Sequence, residues 1–347
     1  MRVSQSRTYP ILLPLAWIYG LIVAIRNLLF DTGVLKQNSF DMPVIGIGNI
    51  TVGGTGKTPH TEYLIKLLSR DYQVAVLSRG YKRKSSGFVL ADKLSAMQEI
   101  GDEPYQMKHK FPDIHMAVDA NRRNGIQRLM ADDIVPPADV ILMDDSFQHR
   151  YVQPGINILL VDYNRLITRD YLLPAGRLRE SAGGKERADI VIITKCPADI
   201  TPVERNGIER ELSLRYHQKI FFTTLSYPIL MPQFKDAPLL VTGIASPQQM
   251  EEDLQRFYQG LELMAFPDHH QYSEQDIEKI KRRAAGRHII TTEKDSARLG
   301  DLPYTVIPIE VEFIGNEEEK FNKIILDYVR KNSRDSHIHP GETANKT

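Results

Sequence analysis

The sequence contains one cysteine, Cys196, one tryptophan, Trp17, and no surplus of either charge: 44 Lys and Arg balance 44 Asp and Glu over 347 residues. Each scarcity excludes something. A lone thiol rules out an intrachain disulfide framework and a cysteine-built zinc site, and it fits a reducing, cytoplasmic compartment. A net charge of zero leaves no global basic field to hold nucleic acid, so an anionic partner must be met by local groups. No internal repeat occurs, and low complexity is confined to a polar stretch over 331–347, expected to be a flexible tail. The length exceeds one ordinary core, which predicts a large α/β unit joined to a smaller one.

Charge is also missing from Thr8 through Ile25, within "TYPILLPLAWIYGLIVAIRNLLF". A bilayer-spanning helix needs about 20 apolar residues, and Pro10 and Pro14 interrupt the start of this run. Residues 1–36 are therefore expected to form a membrane-associating helix that lies in the interface as readily as it crosses. Trp17 and Tyr19 suit a headgroup boundary, and Arg2, Arg7 and Arg26 suit anionic lipid. The segment lacks the small-residue cleavage pattern of a signal peptide. The bland alternative is an ordinary buried helix.

What is abundant is alternation. "PVIGIGNI", "QVAVLS", "DIHMAV", "ADVILMDD", "INILLVD" and "ADIVIIT" read as strands apolar on both faces, separated by helical patterns near 60–69, 102–110, 121–130 and 202–216. That order predicts a doubly wound, mostly parallel sheet over 37–218. The pattern restarts over 219–330 with "KIFFTTLS", "PLLVTGI", "LELMAF", "RHIITT" and "YTVIPIEVEF", predicting the second α/β unit, with the hinge near 215–225.

"GNITVGGTGKTPH" follows the first strand and opens a helix. Gly53, Gly54 and Gly56 allow backbone N–H groups to turn inward around phosphate oxygens, so Thr51, Val52, Gly53, Gly54, Thr55 and Gly56 are expected to cradle a nucleotide. Lys57 would reach the β and γ phosphates and the Thr58 hydroxyl would ligate magnesium. The strict P-loop pattern fails only at its first position, Thr51. Asp144, closing the strand "VILMD", is the expected magnesium carboxylate, with Asp145 beside it.

Further motifs run in order: "SRGY" (78–81), "GDEP" (101–104), "DDSFQH" (144–149), "LLPAGRLRE" (172–180), "TKCP" (194–197), "FPDHH" (266–270) and "TTEKD" (291–295). Together with the phosphate loop they resemble the tetraacyldisaccharide 4'-kinase family, whose members phosphorylate a disaccharide precursor of lipid A. The resemblance covers roughly residues 10–310. It implies Asp102 as catalytic base with His269, beside His270, as its helper, and Arg179, Asp145 and Glu180 in the active site, Glu180 within the magnesium network. It further implies Arg79, Tyr81, Gln148, His149 and Arg177 around the acceptor, with Lys82, Arg83, Lys84, Lys185 and Arg187 as nearby positive charge. Where the family usually has glycine, this chain has Lys82 and Ser146. If His269 belongs to the second unit and Lys57 to the first, closure of the two would complete the catalytic set.

The expected function is thus transfer of the γ-phosphoryl of ATP, with Mg2+, to the 4'-hydroxyl of a tetraacylated disaccharide 1-phosphate at the cytoplasmic face of a bacterial inner membrane. A monomer is expected, with no nucleic-acid or protein partner. ATP is preferred to GTP because "TKCP" lacks the Asn and Asp of a guanine-reading N-K-x-D. The competing readings are a membrane-docked P-loop ATPase or switch of the partition type, which has no acceptor, and a soluble kinase for a small metabolite.

Overall fold

The computed structural model describes residues 9–333 apart from 132, 228–230, 245–246 and 269. Arg2 and Arg7, His269 and residues 334–347 of the expected tail lie outside the described residues. The chain divides into two compact units, the first running to Thr224 and resuming at Val311, the second covering Leu225–Glu310.

In chain order the strands are β1 (Val44–Gly48), β2 (Val74–Ser78), β3 (Val89–Ala91), β4 (His115–Val118), β5 (Val140–Met143), β6 (Ile156–Asp162), β7 (Ile190–Thr194), β8 (Lys219–Ser226), β9 (Leu239–Thr242), β10 (Glu262–Ala265), β11 (Ile289–Thr292), β12 (Thr305–Ile307) and β13 (Glu310–Phe313). Among the described residues they form a nine-stranded sheet, β13-β8-β7-β6-β1-β5-β2-β4-β3, and a four-stranded sheet, β10-β9-β11-β12. In the larger sheet β1, β2 and β4–β8 run parallel, and the edge pair β3–β4 is antiparallel. The central strands β1, β2, β5 and β7 are buried along their whole length, as β-branched and aliphatic runs covered on both faces must be.

Sequential strands lie on both sides of β1, so the chain reverses its winding there. Ligands of open α/β sheets bind beyond the carboxyl ends at such a switch point. The loops leaving β1, β2, β5, β6 and β7 all emerge at that edge. One face of the sheet packs through Ile45, Val76 and Met116 against the helices Lys57–Leu68, Asp102–Lys110 and Glu318–Asn332, the last contributing Phe321, Ile325 and Val329. On β1 two glycines form a floor for the chain leaving β5. A Cβ on Gly48 would stand 2.7 Å from Phe147, and one on Gly46 2.9 Å from the Ser146 hydroxyl.

The fold class expected from the sequence is the one observed, but its partition along the chain is corrected. β8 and β13 complete the first sheet, and the helix Glu318–Asn332 packs there and continues into the expected tail. "YTVIPIEVEF" is two strands in two sheets, broken around Pro308, whose missing N–H cannot serve a ladder. In the second unit the all-parallel four-stranded sheet packs Leu240, Ile290 and Ile307 against Met250 and Leu254 of the helix Pro247–Leu254.

The helix Leu13–Asp31 buries only Ala16 and Phe30, and Trp17 is 72% exposed, so the ordinary core helix is excluded. With the preceding turn it spans 22 residues, Pro10–Asp31, and is long and apolar enough to cross a membrane.

Candidate active site

The phosphate loop leaves β1 at Asn49 and ends at the helix Lys57–Leu68. Two of its positions need glycine: Gly53 has φ +105° and Gly56, the residue before the helix, φ +84°. The loop is sewn to the "GRLRE" segment. Val52 N donates to Arg177 O at 2.8 Å, Arg179 N to Ile50 O at 2.8 Å, and Thr51 bridges Leu178. Asn49 is fully buried and braces the loop from inside, its Nδ2 donating to Thr55 Oγ1 at 2.7 Å.

Lys57 and Arg179 converge on one carboxylate. Lys57 Nζ lies 3.5 Å and Arg179 Nη2 3.2 Å from Asp145 Oδ1. Burial pushes the Asp145 carboxyl up, but these two cations outweigh it and hold it at about 2. Asp145 is therefore an anion at any working pH. It stands at φ +46°, a left-handed conformation uncommon for a non-glycine residue and frequent at functional turns.

Asp144, one residue earlier, has the opposite environment. It is 1% exposed, its Oδ1 accepts from Thr61 Oγ1 at 3.3 Å, and its Oδ2 has no partner among the described residues. Burial, together with the charges of Glu103 and Asp145, raises its carboxyl to about 7. Beneath it lies Arg122, buried, with Nη2 donating to the Asp144 carbonyl at 3.1 Å. Burial lowers that guanidinium to about 10, so it remains charged.

Glu180, expected near the cation, engages protein donors with both oxygens. Oε2 accepts from Arg187 at 2.8 Å and from Asn27 Nδ2 at 3.3 Å, and Oε1 from Gln148 Nε2 at 3.2 Å. The same Gln148 amide donates to Asn49 O at 2.7 Å. Glu180 thus holds loops together, because at 3% exposure its charge requires these partners. Part of that network comes from the N-terminal helix: Tyr19 Oη donates to Arg179 O at 2.7 Å and Arg26 Nη2 to Gln148 O at 2.8 Å.

"SRGY" and "GDEP" meet through glycines. A Cβ on Gly101 would lie 2.9 Å from Tyr81 O, so only glycine lets the two loops touch. Gly101, at φ +93°, then launches the helix Asp102–Lys110, with Asp102 as its first residue. Lys110 Nζ pairs with Glu62 of the phosphate-loop helix at 2.7 Å, fixing the two helices side by side. Arg79, Tyr81, Arg177, Lys82 and Lys84 are exposed, whereas Arg83 is tied to Val118 O and Gly87 O. Lys82 sits at φ +61°, where the resembled pattern has glycine, and Ser146 needs no such conformation. Burial and the nearby Arg122 and Arg79 push His149 down to about 4, leaving it neutral.

Residues 8–330 match the family model described as Tetraacyldisaccharide-1-P 4'-kinase. The chain belongs to that family. It is 55% identical to a tetraacyldisaccharide 4'-kinase of Phocaeicola vulgatus, over 94% of this chain and 97% of the relative. A Bacteroides thetaiotaomicron tetraacyldisaccharide 4'-kinase is 49% identical, over 97% of each. The fold is similar to a crystal structure of LpxK from Aquifex aeolicus described as an "apo" form in complex with ATP. The TM-score is 0.72 at 30% identity, covering 92% of this chain and 98% of that one. The chain is accordingly an ATP-dependent phosphotransferase of the tetraacyldisaccharide 4'-kinase type.

In this 4'-kinase chain the second-unit motifs serve first to build that unit. Asp295 of "TTEKD" is fully buried and accepts from Thr242 Oγ1 at 2.8 Å, Gly243 N at 3.0 Å and Thr292 Oγ1 at 2.7 Å, joining the ends of β9 and β11. His270 is engaged by Asp276 at 3.1 Å and stacks on Phe266. Sequence reasoning missed Asn49 and Arg122. Asn49 is an inconspicuous neighbour of a glycine-rich loop, and Arg122 reads as half of a surface "RR" pair. Burial pushes the Cys196 thiol up to about 12, which keeps it protonated and a poor nucleophile. The native protein at pH 8 should resist iodoacetamide without loss of turnover and be labelled only in denaturant; rapid native labelling with loss of activity would contradict this burial.

Proposed function

We propose that this chain transfers the γ-phosphoryl of ATP to the 4'-hydroxyl of a tetraacylated disaccharide 1-phosphate, the lipid A precursor, at the cytoplasmic face of the bacterial inner membrane. The observation that carries the reading is the convergence of Lys57 and Arg179 on Asp145 beside the phosphate loop, in a chain of this family. Asp102 takes the proton from the 4'-hydroxyl, assisted by His269. The alkoxide oxygen bonds to the γ-phosphorus as the bond to the β–γ bridging oxygen breaks, and ADP leaves. Loop amides of Thr51–Gly56 hold the phosphates while Lys57 and Arg179 meet the charge that develops on the moving group. Arg79, Tyr81, His149 and Arg177 face the acceptor, and Gln148 and Glu180 keep the surrounding loops in place.

Mg2+ fits this site: Asp144 Oδ2, buried and without a partner among the described residues, and the Thr58 hydroxyl are the hard oxygen donors that would hold it. Held there, the ion would supply charge neutralisation for the transferring phosphoryl group.

Incubation with γ-labelled ATP, Mg2+ and detergent-dispersed acceptor tests the assignment. Label is expected in the lipid. Release only as free phosphate would favour the partition-type ATPase instead.

The exposed apolar side of the helix Leu13–Asp31 supports docking on the bilayer that carries the acceptor, which turns the search for substrate into a local one. Trp17, the only tryptophan of the chain, reports on it directly. Its emission should shift to the blue on adding phosphatidylglycerol vesicles and be quenched by brominated acyl chains. An unchanged spectrum with vesicles in excess would remove the helix from membrane contact.

A further inference from the structure

The phosphate loop must present its N–H groups inward, and a planar trans peptide points each carbonyl away from the following N–H. Three successive carbonyls of this loop are held from outside. Lys195 Nζ donates to Gly54 O, and Thr194 Oγ1 donates to Thr55 O at 2.9 Å. His60 Nδ1 lies 2.7 Å from Gly56 O. Burial keeps that histidine neutral at about 4, and since a carbonyl only accepts, its proton is on Nδ1. Its Nε2 is held by the Thr223 hydroxyl at 3.0 Å. Two of the three braces come from the carboxyl end of β7 and the third from the first turn of the loop's own helix, itself held by Thr223 of β8.

Lys195 is the charged member, and its placement is over-determined. Its backbone stands at φ +57°, a conformation L residues rarely adopt, which turns the side chain back over the loop. Its Nζ also meets Asp162 Oδ2 at 3.0 Å. Asp162 ends β6 directly opposite Thr194 in the parallel register, is 4% exposed, and also binds Arg165 at 3.3 Å. The Arg165 guanidinium in turn lies 3.6 Å from where a Cβ on Gly53 would stand.

We infer that Lys195, carried on Asp162, is a positioning residue for phosphoryl transfer: by fixing the Gly54 carbonyl outward it aims the Thr55 N–H at the nucleotide phosphates. "TKCP" therefore works as a brace for the phosphate loop rather than as a reader of the base. The inference rests on the nucleotide reading of the loop but not on the identity of the acceptor.

The test compares Lys195→Met, Lys195→Arg and Asp162→Asn with the unaltered chain. Mg-ATP affinity is read by calorimetry, KM for ATP and for the acceptor by kinetics, and amide exchange of residues 51–56 by mass spectrometry. Loss of a charged hydrogen bond corresponds to about a tenfold to hundredfold weakening. Lys195→Met is expected to weaken Mg-ATP by about that factor, to raise KM for ATP but not for the acceptor, and to speed exchange in the loop. Lys195→Arg should recover most of the affinity, and Asp162→Asn should fall between. Unchanged ATP affinity and unchanged loop exchange in Lys195→Met overturn the inference. So does an equal rise in both KM values with no rescue by arginine, the mark of a general loss of packing. If Lys195→Met does not fold, the soluble Lys195→Arg and Asp162→Asn chains carry the same comparison. A wild-type chain that binds ATP but labels no lipid, with the Lys195 effect intact, sinks the acceptor assignment and leaves the brace standing.

Discussion

Replacing Lys57 with alanine is expected to lower kcat/KM for transfer by about a thousandfold or more, on the scale seen when a charge aimed at a developing anion is removed. Lys57 is the first residue of the helix that receives the phosphates, and its Nζ already sits 3.5 Å from an anionic oxygen, Asp145 Oδ1. With nucleotide bound as proposed, the same ammonium would lie at the end of the loop that holds the γ-phosphate. Loss of the ammonium also leaves Asp145 facing the phosphates with Arg179 alone, so repulsion adds to the lost attraction. Lys57→Arg separates charge from shape: it keeps the charge but replaces a compact ammonium by a planar fork, and should recover only part of the rate. Steady-state kinetics on the lipid acceptor, with a thermal melt to confirm folding, decide it. A folded Lys57→Ala chain with undiminished kcat/KM would take this residue out of phosphate contact.

Asp102→Asn should lower kcat by about 10²- to 10⁴-fold, the range for losing a general base, with KM for ATP changed less than about threefold. Asparagine keeps the shape of the side chain and its place as the first residue of the helix Asp102–Lys110. An acidic charge in that first turn contributes about 0.3–1 kcal/mol to the helix, and a thermal melt of the variant separates a lost base from a weakened fold. Glu103→Gln is the matched control, because Glu103 lies in the same turn and its charge is felt by Asp144. That change should alter cation dependence more than the transfer step. An Asp102→Asn chain with unchanged kcat would reassign the base.

Much of this was legible in the sequence because parallel strands buried on both faces are continuous apolar runs, and because a phosphate loop needs glycine where φ is positive. Gly53 and Gly56 are where the backbone demands them. What was illegible depends on contacts between residues far apart in the chain. Nothing local says that Glu310–Phe313 leaves one sheet for another, although Pro308 marks the break. Arg122 reads as a solvated helix residue, and its burial is decided by the Asp144 carbonyl, 22 positions away. Glu180 was a candidate for the cation only through the family resemblance. The fold surrounds it with Arg187, Gln148 and Asn27, partners that no local pattern announces.

The N-terminal helix is greasy on one side and hydrogen-bonded to Arg179, Gln148 and Glu180 on the other. No detergent is then a neutral medium for this protein. A surfactant that wraps the greasy side pulls, through Tyr19 and Asn27, on the very loops whose turnover is being measured. Rates compared across solubilising conditions report on the grip of that helix as much as on the acceptor's concentration.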